Sequence, residues 1–445
     1  MKAPLSTNYR AILKLALPVS AGTFTQFLVV LTDNFFLSQV SDATLNGAGN
    51  AGILYITLAM VGQGLSSCGQ ILIARRMGEG RSERALVLLR TGLLGMFLIA
   101  LFLVAVVQLG LHLGFASVFR DAATGEVFTA FMDIRKWGFL PGFAMLMMYA
   151  YFMGTARSKV LMVSMITVGV VNIVGDALLI NGMWSMGAQG AAWASFFAEC
   201  TGASVLLLAV IRSNGRTFWN PTFLNREEMV HWIKLALPLV LQLTLTLGTW
   251  SMFFFLVEQV GILELKVSHV ARNYFMLAFT VSQGVQQTTR TFVSTLLGEH
   301  RGGELPEVLK RLFTVNIIGI VVFSHGLFFY PEWLAAPFFD DPEGLEAAGK
   351  TLPVIFLAML IYSASSVMLS AIQGSGHTRT ALAIEVTAIL IYSCFAIFFT
   401  LWWPQPVWRI WWVEFSYFTS MGVGCAWFLM RKDWRSKQTC FGVLV

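Results

Sequence analysis

Long apolar runs separated by short polar segments form the dominant pattern along this chain. A helix needs about 20 mainly apolar residues to cross a bilayer, and twelve such runs occur. They lie near 12–40, 49–73, 86–111, 128–153, 159–181, 186–211, 232–257, 267–297, 308–330, 351–372, 380–403 and 407–430. The pattern predicts an all-α polytopic membrane protein with 12 transmembrane helices.

A polar stretch in the middle of the chain divides the runs into two sets of six. We therefore predict two lobes of six transmembrane helices each, a cytoplasmic linker and a cytoplasmic tail. The boundaries are 1–211 for the N-lobe, 212–230 for the linker, 231–430 for the C-lobe and 431–445 for the tail.

The basic residues support this count, because cytoplasmic loops of membrane proteins collect lysine and arginine. With the N-terminus inside, the predicted inner segments hold 23 of the 30 basic residues. The outer segment "FFDDPEGLEAAGK" at 338–350 is acidic. Both termini are therefore predicted to be cytoplasmic, in a multi-pass protein of the cell inner (plasma) membrane.

The chain also repeats itself. The string "KLALP" occurs at Lys14–Pro18 and again at Lys234–Pro238, and we call the displacement between these two copies the repeat offset. The same offset places "MGEGR" at 77–81 on "LGEHR" at 297–301, and "MGTARSK" at 153–159 on "QGSGHTR" at 373–379.

Each copy of the repeat has an even number of spans, so the two copies cross the membrane in the same orientation. We therefore predict two parallel six-helix bundles around a central cavity. This is an alternating-access transporter architecture; a duplicated scaffold without transport is the alternative.

Composition excludes a water-soluble protein of this length. The chain of 445 residues is 56% hydrophobic with a mean hydropathy of +0.70, and 12% of its residues are charged, against about 25% in soluble domains. The net charge of +6 fits loop topology better than binding to nucleic acid. Five cysteines without a C-x-x-C pattern indicate packed side chains and no disulfide or metal framework.

Two acidic residues lie inside predicted spans, where a carboxylate costs several kcal/mol and is a functional candidate. Asp33 follows Pro18 within the first run, and Pro18 is expected to bend that helix. Asp176 lies four positions after Asn172, which places an amide and a carboxylate on one helix face. Together these groups could hold a proton or a small cation; a cap or an interhelical contact is the alternative.

The second half lacks these groups at the corresponding positions. The repeat offset places Phe253, Tyr392 and Ala396 where the first half has Asp33, Asn172 and Asp176, so we expect ion coupling in the first bundle. The sequence leaves open the roles of several other embedded polar residues: Glu199, Glu385, Glu414, Arg272 and His325.

Motifs for other sources of energy or chemistry are missing. The sequence has no Walker motif, and "GAGNAG" at 47–52 opens a membrane span without a preceding strand, so it is not a dinucleotide site. No catalytic motif points to an enzyme. We expect no cofactor, and we expect an H+ or Na+ gradient to supply the energy.

Several motifs in order resemble the multidrug and toxic compound extrusion (MATE) family. They are "KLALP" followed by "LTDNFF", "GEGRSERA" after the second span, "NIVGDALLINGMWSMGAQGAAWAS" across spans five and six, and the second "KLALP". The resemblance implies a secondary active antiporter that exports organic, cationic or amphipathic compounds in exchange for H+ or Na+. A flippase for lipids or lipid-linked saccharides of the same superfamily is the alternative.

The resemblance also implies an ion-coupling set of four residues, which map onto Asp33, Asn172, Asp176 and Ser195. A bound Na+ would lie at Asp33, Asn172 and Asp176. Some family members carry further acids early in span seven and in span ten, and this chain lacks both. That departure favours coupling through the N-lobe.

The mechanism expected from these features is a change in the packing of the first span when the carboxylates are neutralised. Pro18 would act as the hinge, and Gln26, Tyr149 and Met153 would line the substrate cavity. The expected partners are small organic substrates and the lipid bilayer, with no nucleic acid, and the protein is expected to function as a monomer.

Overall fold

The fold is built from helices throughout residues 4–119, 121–219 and 226–435, which the computed structural model describes. No strand occurs in these ranges. In chain order the α-helices are α1 Tyr9–Ser38, α2 Asp42–Gly78, α3 Ser82–His112, α4 Ala122–Arg135, α5 Phe139–Gly154, α6 Ser158–Leu179, α7 Ala188–Asn214, α8 Arg226–Val260, α9 Ile262–Gly298, α10 Leu305–Ser324, α11 Gly326–Phe329, α12 Pro331–Ala335, α13 Pro342–Gly374, α14 Thr378–Ile397, α15 Val407–Ile410 and α16 Val413–Met430.

Each of the twelve predicted runs overlaps at least one of these helices. The fourth run is divided between α4 and α5, and the twelfth between α15 and α16. Eight helical stretches in the described part are long and apolar enough to span a membrane. Residues 220–225 of the predicted linker and 436–445 of the predicted tail lie outside the described residues.

The sequence repeat reappears in the helix boundaries. Helices α2 and α9 have 37 residues each, and both their first and last residues correspond at the repeat offset. Helices α6 and α14 begin at corresponding positions, and α5 and α13 end at corresponding positions. The duplication therefore governs the secondary structure as well as the short sequence matches.

The turns after these helices repeat their backbone conformation as well. His300 has a φ of 60° where the first half has Gly80 at 74°, and Gly376 has a φ of 91° where the first half has Ala156 at 57°. A side chain at positive φ is strained, and two turns accept that strain in non-glycine residues. The geometry of the turn is shared by the two halves even where glycine is not.

The chain divides into two compact units. The N unit consists of Ala21–Met77 and Arg81–Val240, and the C unit consists of Met1–Ser20, Gly78–Gly80 and Leu241–Val445. The divisions fall inside α1 and α8, in each case two positions after the proline of "KLALP".

The opening segment of α8 is an integral part of the N unit. Trp232 is fully buried, its Nε1 donates to the Leu65 carbonyl at 3.0 Å, and its ring lies against Gly95. The predicted lobe boundaries stay predictions. The compact units differ from them, because the C unit includes the opening segment of α1 and the N unit includes the opening segment of α8.

Candidate functional site

Two acidic side chains meet inside the N unit. The carboxyl groups of Asp33 on α1 and Asp176 on α6 lie close enough to influence each other electrostatically. Asp176 is 0% exposed and Asp33 is partly buried. The helices approach closely because Gly169 of α6 lies against Thr25; a Cβ at Gly169 would come within 2.4 Å of the Thr25 methyl group.

The two carboxyl groups have few hydrogen-bond donors around them. Among the described residues, neither oxygen of Asp176 nor Oδ1 of Asp33 has a hydrogen-bond partner. Ionised carboxylates only accept hydrogen bonds, so two of them in contact repel each other. A proton shared between the groups, or a cation beside them, would remove this repulsion.

The other two predicted residues also lie together. Asn172 on α6 is 1% exposed, and its Nδ2 donates to Oγ of Ser195 on α7 at 3.4 Å. The Asn172 Oδ1 atom has no hydrogen-bond partner in the described part of the chain. Because Asn172 and Asp176 are one turn apart, their oxygens share a face of α6.

Small residues let α6 and α7 pack closely enough to bring these groups together. A Cβ on Gly175 would lie 2.8 Å from that of Ala194, and one on Gly190 would lie 2.4 Å from the Leu179 carbonyl oxygen. Membrane helices commonly use small residues for such close approach. The position of Ser195 relative to Asn172 therefore depends on glycine packing.

Carboxylate, amide and hydroxyl oxygens thus converge from α1, α6 and α7. Two carboxyl groups in contact can share one proton, in which case they titrate as a pair. The same oxygen atoms are suitable ligands for a hard cation. The arrangement is chemically able to take up H+ or Na+.

The remaining predicted residues are spread along α1 and α5. Pro18 lies within α1 on the C-unit side of the division, and Gln26 is exposed on the same helix. On α5, Tyr149 is partly buried and Met153 is fully buried. Their predicted hinge and cavity roles stay predictions.

The sequence interpretation missed a partly buried ion pair next to this site. Arg135 at the end of α4 binds Glu199 of α7 with both terminal nitrogens, NH1 to Oε2 at 2.8 Å and NH2 to Oε1 at 2.6 Å. The Tyr55 hydroxyl donates to the same carboxylate at 3.3 Å, and the guanidinium lies 3.7 Å from the centroid of the Tyr55 ring.

This cluster of Tyr55, Arg135 and Glu199 extends its electrostatic influence to Asp33, with which Arg135 interacts. The guanidinium charge is already matched by Glu199, so it cannot also balance two ionised aspartates. A signal is present in the sequence, because Arg135 falls inside the predicted span 128–153. The sequence interpretation counts Arg135 among the basic residues of the outer segments and therefore does not treat it as a charge inside a span.

Two residues that the sequence left open lie against aromatic side chains. His325 directly follows α10, and its ring nitrogen Nε2 is 2.8 Å from the Tyr330 hydroxyl at an exposed position. Arg272 of α9 lies 5.0 Å from the ring centroid of Phe254. Neither contact points to a role in ion uptake.

Comparison with known proteins identifies the family of this chain. The family model described as MatE matches the chain twice, over residues 18–178 and 238–398. These two matches are themselves related by the repeat offset, and each begins at a "KLALP" proline.

The similar proteins are named as multidrug resistance or extrusion proteins. A probable multidrug resistance protein NorM of Rhizobium meliloti (strain 1021) is 22% identical over 79% of this chain and 77% of its own length. A second one, of Caulobacter vibrioides, is 24% identical over 88% of this chain and 84% of its own. Multidrug and toxin extrusion protein 1 of Oryctolagus cuniculus is 23% identical, with coverages of 83% and 65%.

Solved structures show the same fold. The outward-facing conformation of a multidrug resistance MATE family transporter of the MOP superfamily matches with a TM-score of 0.89, at 17% identity and with 97% of each chain covered. MATE crystal structures in the straight and the bent conformation both match with a TM-score of 0.84. This protein is a multi-pass membrane protein that belongs to the MatE family, the multidrug and toxic compound extrusion transporters.

Proposed function

We propose that this protein is a secondary active efflux antiporter, which exports organic cationic or amphipathic compounds in exchange for H+ or Na+ by alternating access. Its ion-coupling residues are Asp33, Asn172, Asp176 and Ser195. The observation that carries the proposal is the proximity of the Asp33 and Asp176 carboxyl groups, of which three buried oxygens lack a hydrogen-bond partner among the described residues. The names of the similar NorM and extrusion proteins support the substrate class.

The coupling step is the neutralisation of the aspartate pair. With both groups ionised, repulsion between Asp33 and Asp176 favours separation of α1 from α6. A proton or Na+ removes that repulsion and lets the two helices close. The coupling ion thereby changes the packing of α1, the helix that contains Pro18 and that contributes residues to both compact units.

The nearby ion pair sets the charge balance of this step. Arg135 and Glu199 neutralise each other through two hydrogen bonds, so the positive charge that the aspartates need must come from the coupling ion. If Arg135 instead neutralised an aspartate, the site would respond weakly to the ion. The pairing of Arg135 with Glu199 therefore leaves the two aspartates dependent on the coupling ion for their neutralisation.

The same proposal includes the membrane arrangement. The protein functions as a monomer in the inner (plasma) membrane, with both termini in the cytoplasm. The excess of basic residues in the predicted inner segments supports this orientation.

Transport into inside-out vesicles tests the function. A pH gradient and a Na+ gradient are imposed separately, and accumulation of a fluorescent organic cation is followed with the wild-type protein and with Asp33→Asn. We expect one gradient to drive uptake in the wild type and neither in the variant. If Asp33→Asn took up the cation at the wild-type rate, the proposed coupling site would be overturned. Movement of a fluorescent lipid between leaflets without cation uptake would favour the flippase.

A further inference from the structure

The C unit contains two buried carboxyl groups that the proposed coupling site does not use. Glu385 on α14 is 3% exposed and Glu414 on α16 is 1% exposed. Each is bound by a tyrosine from the opposite helix: Tyr417 of α16 donates its hydroxyl to Glu385 Oε1, and Tyr392 of α14 donates to Glu414 Oε1 at 3.3 Å. The two tyrosine rings are in contact, with centroids 5.6 Å apart.

One oxygen of each carboxyl group remains without a hydrogen bond. Within the part of the chain that the structure describes, neither Glu385 Oε2 nor Glu414 Oε2 has a partner. An ionised carboxylate with an unsatisfied oxygen is costly inside a membrane protein. Both observations point to a proton on these groups.

The surroundings of Glu385 contain titratable groups but no adjacent cation among the described residues. Thr246 of α8 donates its hydroxyl to Glu385 Oε1 at 2.9 Å, and the Gln242 side chain lies nearby. Its further titratable neighbours are Tyr362 on α13 and Cys425 on α16.

Arg290 is connected to the vicinity of Glu385 by two hydrogen-bonded amides. Arg290 of α9 donates its Nε to Gln373 Oε1 at 2.8 Å, and Gln373 donates its Nε2 to Gln242 Oε1 at 3.0 Å. These bonds link α9, α13 and α8. The guanidinium is thereby held by amides and is not paired with the Glu385 carboxyl group.

Aromatic rings surround the second carboxyl group. Tyr392, which binds Glu414, lies with its ring centroid 6.0 Å from that of Phe253. The Phe253 and Trp411 rings are 5.2 Å apart. The titratable neighbours of Glu414 are Tyr392 and Tyr417. Since a hard cation collects several oxygen ligands, this apolar setting suits a proton better than Na+.

The internal repeat shows that this cluster stands in the place of the ion site. At the repeat offset, Tyr392 corresponds to Asn172, and Glu414 lies one position before the counterpart of Ser195. The bond from Tyr392 on α14 to Glu414 on α16 thus joins the counterparts of α6 and α7, which the bond from Asn172 to Ser195 joins. The second half has Phe253 in place of Asp33 and carries a buried acid, Glu414, on its last helix.

We propose that Glu385 and Glu414, together with Tyr392 and Tyr417, form a second proton-binding centre in the C unit. This centre goes beyond the proposed function, because it binds protons whether or not Asp33 and Asp176 are present. It also differs in chemistry from the first site: tyrosine hydroxyls and aromatic rings replace the amide and hydroxyl oxygens.

Infrared spectroscopy of the reconstituted protein during a pH titration tests the inference directly. The starting protein is the double variant Asp33→Asn with Asp176→Asn, which removes the signals of the first site. We expect the C=O stretching band of a buried carboxylic acid to persist, to shift in D2O, and to lose intensity in Glu385→Gln and in Glu414→Gln. The matched control is Glu343→Gln, because Glu343 is exposed at the start of α13.

A second measurement uses the wild-type chain and does not depend on the folding of variants. A hydrophobic carbodiimide reacts with protonated carboxyl groups in apolar surroundings, and mass spectrometry locates the adduct. We expect modification at Glu385 or Glu414 that falls as pH rises. No band in the double variant, together with no adduct at either glutamate, would overturn the inference. If the wild-type protein showed no ion-driven transport while the band remained in the double variant, the result would count against the proposed function alone.

Discussion

Asp33 of α1 and Asp176 of α6 face each other as two acceptors in the interior of one compact unit. Their neighbours Asn172 and Ser195 supply further oxygen atoms, and the nearest guanidinium, that of Arg135, is bound to another carboxylate. A site with this composition is incomplete without a positive ion, which makes its occupancy the natural link between an ion gradient and the position of α1.

Asp33→Asn is expected to abolish ion-driven efflux while leaving the folded protein at least as stable as the wild type. The amide keeps the shape of the side chain and removes the repulsion with Asp176. It also supplies hydrogen-bond donors to the unsatisfied oxygens of Asp176. Vesicle uptake and thermal unfolding in detergent measure the two effects. Asp42→Asn is the control, since Asp42 is exposed at the start of α2; a loss of transport there would contradict the specificity of the site.

Arg135→Ala is expected to destabilise the protein by about 1–3 kcal/mol, because the partly buried Glu199 carboxylate loses its charge partner and two hydrogen bonds. Arg135→Lys should recover only part of this loss, since lysine cannot donate in the bidentate fork to Glu199 or stack on Tyr55 in the same way. Thermal unfolding at fixed detergent concentration measures the difference. The double variant Arg135→Met with Glu199→Leu should be more stable than Arg135→Ala, and the opposite order would show that the pair is unimportant.

Gly190→Ala is expected to destabilise the protein by about 1–3 kcal/mol through overpacking, because the new Cβ would lie 2.4 Å from a backbone carbonyl of α6. It should also weaken ion coupling, since the α6 and α7 contact holds Asn172 near Ser195. Gly49→Ala is the matched control in α2, where no atom lies within 4 Å of the added Cβ. That variant should be neutral or more stable by up to about 1 kcal/mol. Equal effects of the two substitutions would refute the packing explanation.

Asp121→Ala is expected to lower the melting temperature in a pH-dependent way. Asp121 caps α4 and accepts hydrogen bonds from the hydroxyl and backbone N–H of Thr124 and from the backbone N–H of Ala123, which holds the pKa of its carboxyl group below the usual range. Because the folded-state pKa is lowered, the cap stabilises the fold fully above the unfolded-state value of about 3.9. This stability is lost as pH falls through the folded-state pKa.

The difference between the wild type and Asp121→Ala should therefore be largest at neutral pH and shrink under acid conditions. Asp121→Asn keeps the side-chain acceptor and should show a difference that depends less on pH. Melting curves recorded in one detergent across the acid range provide the measurement. A difference that grows on acidification would contradict the assigned direction.

The spans, the repeat and the aspartate site are predictable from the sequence because each rests on local pattern or on the cost of burying charge. Asp33 and Asp176 stand out because an acid in an apolar run requires a partner. The spacing of Asn172 and Asp176 fixes their common face. The repeat offset likewise anticipates the equal lengths of α2 and α9.

The missed residues depend on partners that are distant in the sequence. Arg135 resembles a loop residue until the structure places Glu199 of α7 against it. The roles of Glu385 and Glu414 stay open in the sequence because a single polar position in an apolar helix does not reveal which neighbour it faces. Their tyrosine partners become visible only when α14 and α16 are packed together.

The division of α1 and α8 after their "KLALP" prolines has a consequence for how the protein can be taken apart. The N unit needs the opening of α8, where Trp232 fills its core, and the C unit needs the opening of α1, where Ser20 donates to the Val281 carbonyl at 3.1 Å. The exchanged segments end at corresponding positions of the repeat, Ser20 and Val240. If the chain were cut in the central linker, the first fragment would carry the α1 segment of the C unit, and the second fragment would carry the α8 segment of the N unit. This is the arrangement of a domain-swapped dimer. Neither fragment would therefore contain all the residues of its own compact unit.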